Sequence, residues 1–234
     1  MNIAIGSAFR DTPQWRAARY FDRIAALRDH AGPNHSVRVI AAEGDSADDT
    51  RQRLRAEAAR CRLSVAFPEC STGAPYFGSV EDPARMQALS IVGNAIFAAV
   101  LPEDDVLVYV ENDIAWTPHD IGSLIDAAVS RMDHLDVIAP LVMAGEAFYD
   151  VWGFRGLDGS RFAPFHPYHG SFGARLAEGL PLEVSSVGSC LVMRGEVARS
   201  SRIRSGGALV DWCADARAQG FRIGVWPSFR VQHT

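Results

Sequence analysis

Three observations predict an α/β fold built on a largely parallel sheet. Short apolar runs bounded by polar turns alternate with longer segments of helical period through the first half of the chain. The run VLVYV at 106–110 is apolar on both faces of an extended chain, as in a strand covered by helices on each side. Nothing in the 234 residues reads as a linker, an internal repeat or a low-complexity tract, so one domain is expected.

Residues 1–7, apolar and closed by a polar turn, read as the first strand. Thr12 and Pro13 signal a helix start, and Trp15, Ala18, Phe21, Ile24 or Ala25, and Leu27 recur at helical spacing to about Arg28. AGPNHS breaks that helix, and 37–42 form a second strand ending in EGDSADDT. The last acidic residues of that loop cap a helix from about 49 to 60, whereas Glu43 and Asp45 stand at the strand end itself. A third strand covers 63–67 and a loop covers 68–80. Asp82 and Pro83 then open a long helix whose apolar face runs from Met86 through Leu89, Val92 and Ile96 or Phe97 to Val100. That helix leads into VLVYV. Pro118 opens another helix to about Met132, and 137–139 is a further strand. From 143 to 181 no period survives, and aromatics, glycines and histidines accumulate, the signature of a functional loop. Strand character returns at 184–193, a helix runs from Leu209 or Asp211 to Gly220, and FRIGVWPSFRVQHT closes the chain as one or two strands.

Composition excludes several classes. A net charge of −5 offers no general attraction for nucleic acid. Every basic residue is arginine, which rules out a Walker phosphate lysine, a Schiff base and a lysine general base. Cys61, Cys70, Cys190 and Cys213 lack C-x-x-C pairing and read as reduced structural thiols. No apolar run reaches membrane-spanning length and MNIAIGSAF enters a strand with no basic leader, so an intracellular, cytoplasmic protein is expected.

The chemistry gathers where strands stop. VLVYV ends abruptly in Glu111, Asn112 and Asp113. Side chains alternate along a strand, so Glu111 and Asp113 point the same way and can converge on one cation; the plainer reading is a strand ending in a polar turn. Ligands of parallel sheets bind beyond the carboxyl ends of the strands, and 7–10, 43–45 and 111–113 are three polar ends of that kind. The G-x-G-x-x-G fingerprint is absent after the first strand, which argues against an ordinary dinucleotide-binding domain.

The order strand, helix, strand ending in VIAAEGDSADDT, helix, strand, helix carrying Arg85 and Asn94, then VLVYVENDI resembles the Rossmann-like nucleotide-sugar domain of GT-A glycosyltransferases, with their acidic loop and D-x-D motif. The tail VDWCADARAQGFRIGVWPSFRVQH resembles that family's late helix, strand and terminal metal-binding histidine, so the likeness covers nearly the whole chain. AFYDVWGFR and SVGSCLVMR look most like the fungal capsule-associated α-1,3-mannosyltransferases and, more distantly, the Anp1-type mannosyltransferases of the yeast Golgi. The resemblance implies a single GT-A domain, with 1–113 as the nucleotide-sugar half and 114–234 as the acceptor half carrying the irregular loop 143–181. It implies transfer of a sugar from a GDP-mannose or UDP-glucose class donor to an acceptor hydroxyl on a glycan, lipid, protein or modified nucleic acid.

The same resemblance implies Mn2+ or Mg2+ held by Asp113 and His233, with Glu111 a second ligand, a ligand through water or a ribose contact. Without it His233 is simply a terminal residue free to fray. Ser7, Phe9 and Arg10 would line the nucleotide, Glu43 or Asp45 would contact base or ribose, and Arg85 would approach the phosphates, with Asn94 and Asn112 also on the donor side. Phe9 fits a core equally well, and Arg85 a solvated surface. Asp150, with Tyr149 and Trp152, would bind sugar hydroxyls under an aromatic face, or these residues form an aromatic cluster closing the sheet.

One departure bears on stereochemistry. Inverting GT-A enzymes commonly carry an acidic pair before the late helix, and those positions are Ala208 and Leu209 here. Asp211, two residues on, substitutes only if it caps the helix. Retention is therefore expected, with a leaving-phosphate oxygen accepting the acceptor proton and Asp211 near the anomeric carbon; an inverting enzyme using Asp211 as base is the alternative. A sugar-nucleotide-forming nucleotidyltransferase would need a glycine-rich loop and usually a lysine, both lacking. A non-catalytic nucleotide-sugar or carbohydrate-binding module is the other rival.

Overall fold

Val106, Val108 and Val110 face one way from the strand they share and Leu107 and Tyr109 the other, and all five are buried. That strand, β4 (Val106–Val110), is the axis of the computed structural model, which describes residues 1–78, 80–172 and 178–234. On one side of it β1 (Asn2–Phe9), β2 (Ser36–Glu43) and β3 (Ser64–Ala66) extend a parallel sheet in the order β3-β2-β1-β4. On the other side β9 (Cys190–Arg194) runs antiparallel to β4. Beyond it lie β6 (Val137–Ala144), β10 (Ile223–His233) and β5 (Ile114–Ala115). Short strands β7 (Ala147–Phe148) and β8 (Leu182–Val184) pair with β6 and β10. The expected sheet is present, with β9 as an antiparallel strand between parallel neighbours.

Helices cover both faces, as the two-sided burial of β4 requires. α1 (Gln14–Ala31), α2 (Thr50–Arg60) and α4 (Pro118–Ser130) share one core with the valines of β4. The other core takes α3 (Pro83–Ala98), α5 (Gly195–Ser200) and α6 (Ala208–Ala218). Sequence signals set the helix starts: Asp82 accepts from the amides of Ala84 and Arg85, and Thr117 accepts from Asp120, each just before a proline in the first turn. Phe97 of α3 stacks between Trp212 of α6, at 4.9 Å, and Tyr109 of β4, at 5.8 Å, which locks both helices over the sheet.

Asn94 adds a polar clamp, donating to Ile203 O and accepting from Ile203 N, both at 2.9 Å. Asn94→Ala removes two bonds and leaves a partly buried peptide unpaired, so urea unfolding should show a loss of about 1–3 kcal/mol.

The structure differs from the sequence reading in three main places. The strand expected at 184–193 is two strands, because Gly188 and a left-handed Ser189 (φ 50°) interrupt it. Six-residue α5 is too short to carry a helical period. β6 runs on to Ala144 and turns through Gly145 (φ 62°) into β7, using residues that the sequence assigns to the loop. The closing segment, expected as one or two strands, is one, irregular between Val225 and Arg230, where Pro227 supplies no N–H. The rest of 143–172 is largely irregular but packed, with Phe148, Phe154, Phe162, Tyr168 and Phe172 in mutual ring contact. Residues 173–177 of that stretch and Ser79 of the earlier loop lie outside the described residues. All four cysteines are free and buried, and among the described residues no helix is long and apolar enough to cross a membrane.

Candidate functional site

The turn after β4 is pinned by the segment before β9 and by the C-terminal strand. Glu111 N donates to Ser189 O at 2.8 Å, and Ile114 N closes the turn on Glu111 O at 3.1 Å. β5 then pairs antiparallel with the end of β10, setting His233 opposite Ile114. Both Thr234 N and Oγ1 donate to Asp113 O at 2.9 Å, so the chain end is held rather than frayed. His233 Nε2 stands 3.4 Å from Asp113 Oδ2, and Tyr149 stacks on the imidazole at 3.8 Å. Asp113 Oδ1 is buried without a hydrogen-bond partner. A buried acceptor of this kind calls for a cation or donor that the protein alone does not supply. Among the described residues no cluster of three or more histidine, cysteine, aspartate or glutamate side chains encloses an ion site; Asp113 and His233 form an open pair.

A cavity of about 550 Å3 is lined by Glu111, from the same turn as Asp113, and by Tyr149, which stacks on His233. α3 contributes Arg85, Met86 and Leu89 to its wall, β4 and its turn contribute Tyr109 and Glu111, and Tyr149, Asp150 and Trp152 line the far side. The N-terminus of α6 closes it with Ala208 and Leu209. Arg85 lies over the Trp152 ring with Cζ 5.8 Å from its centre and donates to Val80 O at 3.1 Å. Burial pushes the Glu111 carboxyl up to about 8; the nearby Asp113 and Asp150 charges add to the rise, while Arg85 and Ser189 oppose it.

Asp150 is 8% exposed, and burial raises its carboxyl too, with Ser189 and the Gly153 amide opposing. Its Oδ1 accepts from Gly153 N at 3.2 Å and its Oδ2 has no hydrogen-bond partner among the described residues. The carboxylate sits so close to the chain that a Cβ at Gly153 would lie 2.7 Å from Oδ1, and one at Gly188 2.8 Å from Oδ2. Glycine is required at both positions for Asp150 to face the cavity.

The structure brings Glu111, Asp113, His233, Arg85, Tyr149, Asp150 and Trp152 together around this edge. The remaining candidates are engaged elsewhere. Ser7 is fully buried, bonded to Tyr20 Oη at 2.6 Å and to Val110 O, and Phe9 packs edge-on against Tyr20, so both belong to the core rather than to a nucleotide surface. Arg10 donates to Ala74 O and Pro75 O. Asp45 accepts from Ser71, Thr72 and Gly73, with Ser71 foremost among the groups that hold its carboxyl well below the usual range. These two residues shape the loop beyond β3, with Arg10 Nε left without a hydrogen-bond partner among the described residues. Glu43 is paired with Arg51 at 2.9 Å, and Asn112 donates to Ala8 O at 2.6 Å. Asn94 is the clamp on Ile203 described above.

Asp211 departs furthest from expectation. Its Oδ2 accepts from Ser205 N at 3.0 Å and Gly207 N at 2.7 Å, which turns it back onto the loop before α6 and out of the cavity wall. Sequence reasoning missed Gly153, Gly188, Ser189 and Arg155. Only the two glycines carried a signal, one three residues after Asp150 and one just before β9.

No protein-family model and no curated protein matches this sequence. Solved structures do match its fold. Glucosyl-3-phosphoglycerate synthase from Mycobacterium tuberculosis, in complex with Mn2+, UDP and glucosyl-3-phosphoglycerate, superposes with a TM-score of 0.55 at 13% identity, over 100% of this chain and 72% of that one. The same synthase with Mg2+ and UDP gives 0.55 at 14%, over 100% and 71%. S. aureus TarS 1–349 gives 0.54 at 15%, over 100% of this chain and 60% of that one. At such identities the likeness establishes the fold, which is that of the GT-A glycosyltransferases.

Proposed function

We propose that the protein is a metal-dependent glycosyltransferase that moves a sugar from a nucleoside-diphosphate donor to an acceptor hydroxyl. One observation carries the reading: at the edge of a GT-A sheet, Asp113 presents a buried, unpartnered carboxylate oxygen beside His233, and Glu111 and Asp150 stand next to it at a cavity. The donor set fits a divalent cation. Asp113 and His233 would hold it, with Glu111 binding directly or through water, and so few protein ligands suit an ion that shares its shell with substrate phosphates. A mixed oxygen and imidazole set suits Mn2+ at least as well as Mg2+. When bound, the cation offsets the charge that develops on the departing diphosphate.

The chain's own residues do the rest. Arg85 adds a second positive charge on the Glu111 side of the cavity, suited to the phosphates. Asp150, with Oδ2 unpartnered, accepts from sugar hydroxyls while Tyr149 and Trp152 offer aromatic cover. The nucleotide would lie across the ends of β1 and β2, near Glu43. Complexes of the mycobacterial synthase with UDP favour a uridine donor, whereas the likeness of AFYDVWGFR to fungal mannosyltransferases favours GDP-mannose.

Stereochemistry follows from what faces the cavity beside α6. Ala208 and Leu209 occupy the wall where an inverting enzyme would carry its base, and Asp211 is tied to its own loop. We therefore infer retention, with a phosphate oxygen of the leaving group accepting the acceptor proton. Incubating the protein with UDP-glucose or GDP-mannose, with and without Mn2+, and reading the product by proton NMR tests both claims. Metal-dependent release of nucleoside diphosphate and a product of unchanged anomeric configuration are expected. Donor binding without turnover would instead make this a binding module, and an inverted product would overturn retention.

A further inference from the structure

The cavity contains a cation that donor chemistry does not use. Arg85 faces Glu111, on the side suited to the diphosphate, whereas Arg155 lies on the Asp150 side. Its backbone is fixed: Arg155 N donates to Ser186 O at 3.2 Å, and Ser185 N donates to Arg155 O at 2.9 Å. The guanidinium is held at one corner only. Nη1 donates to Phe154 O at 2.9 Å and Val151 O at 3.4 Å, while Nε and Nη2 make no hydrogen bond to a described residue. Glu81, an acidic residue of the same cavity whose charge reaches Arg155, is engaged through both oxygens by Arg161, at 3.0 Å for Nη1 to Oε2 and by a second contact from Nη2 to Oε1. Arg155 therefore has no carboxylate paired with it among the described residues, and partial burial already disfavours its charge.

A half-buried guanidinium with free, fork-shaped donors is suited to an oxyanion. The donor's own charge is its diphosphate, which would be offset by the cation that Asp113 and His233 would hold and by Arg85, and the sugar between is neutral. The sugar that Asp150 would bind carries no charge, so a charged substrate group on the Asp150 side has to come from the acceptor. We propose, on the transferase reading above, that Arg155 binds a carboxylate or phosphate carried by the acceptor close to the hydroxyl that receives the sugar. With Glu81 paired to Arg161, the other two acidic side chains of this cavity, Glu111 and Asp150, would repel such an acceptor, so a dedicated cation is needed to admit it.

The test uses the protein saturated with UDP and Mn2+, so that the donor subsite is filled, and titrates sn-glycerol 3-phosphate, D-glycerate, uncharged glycerol and a short DNA duplex, followed by tryptophan fluorescence. Binding of the anionic probes at least tenfold tighter than glycerol is expected. That preference should be lost in Arg155→Gln, partly recovered in Arg155→Lys, and kept in Arg204→Gln, whose side chain pairs with Asp215 outside the cavity. The small anions and the duplex distinguish a free acceptor from a polymeric one. Equal binding of glycerol, or anion binding that survives Arg155→Gln, would overturn the proposal. Failure of the wild-type protein to bind UDP with Mn2+ would remove the transferase reading instead, and Arg155-dependent anion binding would still be read without them.

Discussion

Asp113→Ala is expected to lower metal-dependent donor turnover on the order of 10³-fold, equivalent to about 4 kcal/mol of transition-state stabilisation. Among the described residues the side chain's partner is the His233 imidazole, at 3.4 Å, and Oδ1 has none. Its structural duty is carried by the backbone, since Asp113 O accepts both bonds from Thr234 and survives the substitution. The variant should therefore fold. Its metal-free form should unfold at the same temperature as the parent or slightly above, because removing Asp113 removes one of the charges that disfavour an ionised Glu111. Nucleoside diphosphate release across a Mn2+ titration, paired with a metal-free melting curve, checks the two halves together. Full turnover in a folded Asp113→Ala protein would refute the assignment.

Much of this site was legible in the sequence because strand chemistry is local. VLVYV had to be covered on both faces, and its acidic end had to lie at the carboxyl edge of the sheet, whatever the rest of the chain did. Helix starts at Asp82 and Thr117 were equally local, each a capping residue before proline. What the sequence did not reveal is which polar residues the protein spends on itself. Asp45 and Asp211 look like exposed carboxylates beside strand and helix ends, yet each is consumed by two or more loop amides. Asn94, nine residues beyond Arg85 and so on the opposite side of α3, turns to Ile203 across a sequence gap that no pattern predicts. Arg155 was invisible for the opposite reason. Its value lies in partners it lacks, and the removal of Glu81 by Arg161 is a tertiary event.

Mn2+ affinity should rise about tenfold per pH unit between pH 6 and about 8, roughly a hundredfold in all, and then level off. The cause is Glu111, whose carboxyl is pushed from an ordinary 4.5 up to about 8 by burial and by the charges of Asp113 and Asp150. Below pH 8 the folded, metal-free protein keeps a proton there that a bound cation must displace, whether Glu111 ligates directly or only faces the ion. The sign for stability is the reverse. Between about pH 4.5 and 8 the unfolded chain has already ionised Glu111 while the folded chain has not. The folded state then binds more protons, and this group's stabilisation, complete below pH 4.5, fades as pH rises through 8. A melting temperature that falls with pH in the metal-free protein, and falls less when Mn2+ is present, follows from the two statements together. Titrations read by the electron paramagnetic resonance of free Mn2+ give the slope directly, and calorimetry in buffers of different ionisation enthalpy counts the proton released. Glu111→Gln should flatten both profiles, because an amide has no proton to give up. A pH-independent affinity in the parent protein would instead mean that Glu111 stays uncoupled from the ion, leaving Asp113 and His233 to hold it with the diphosphate.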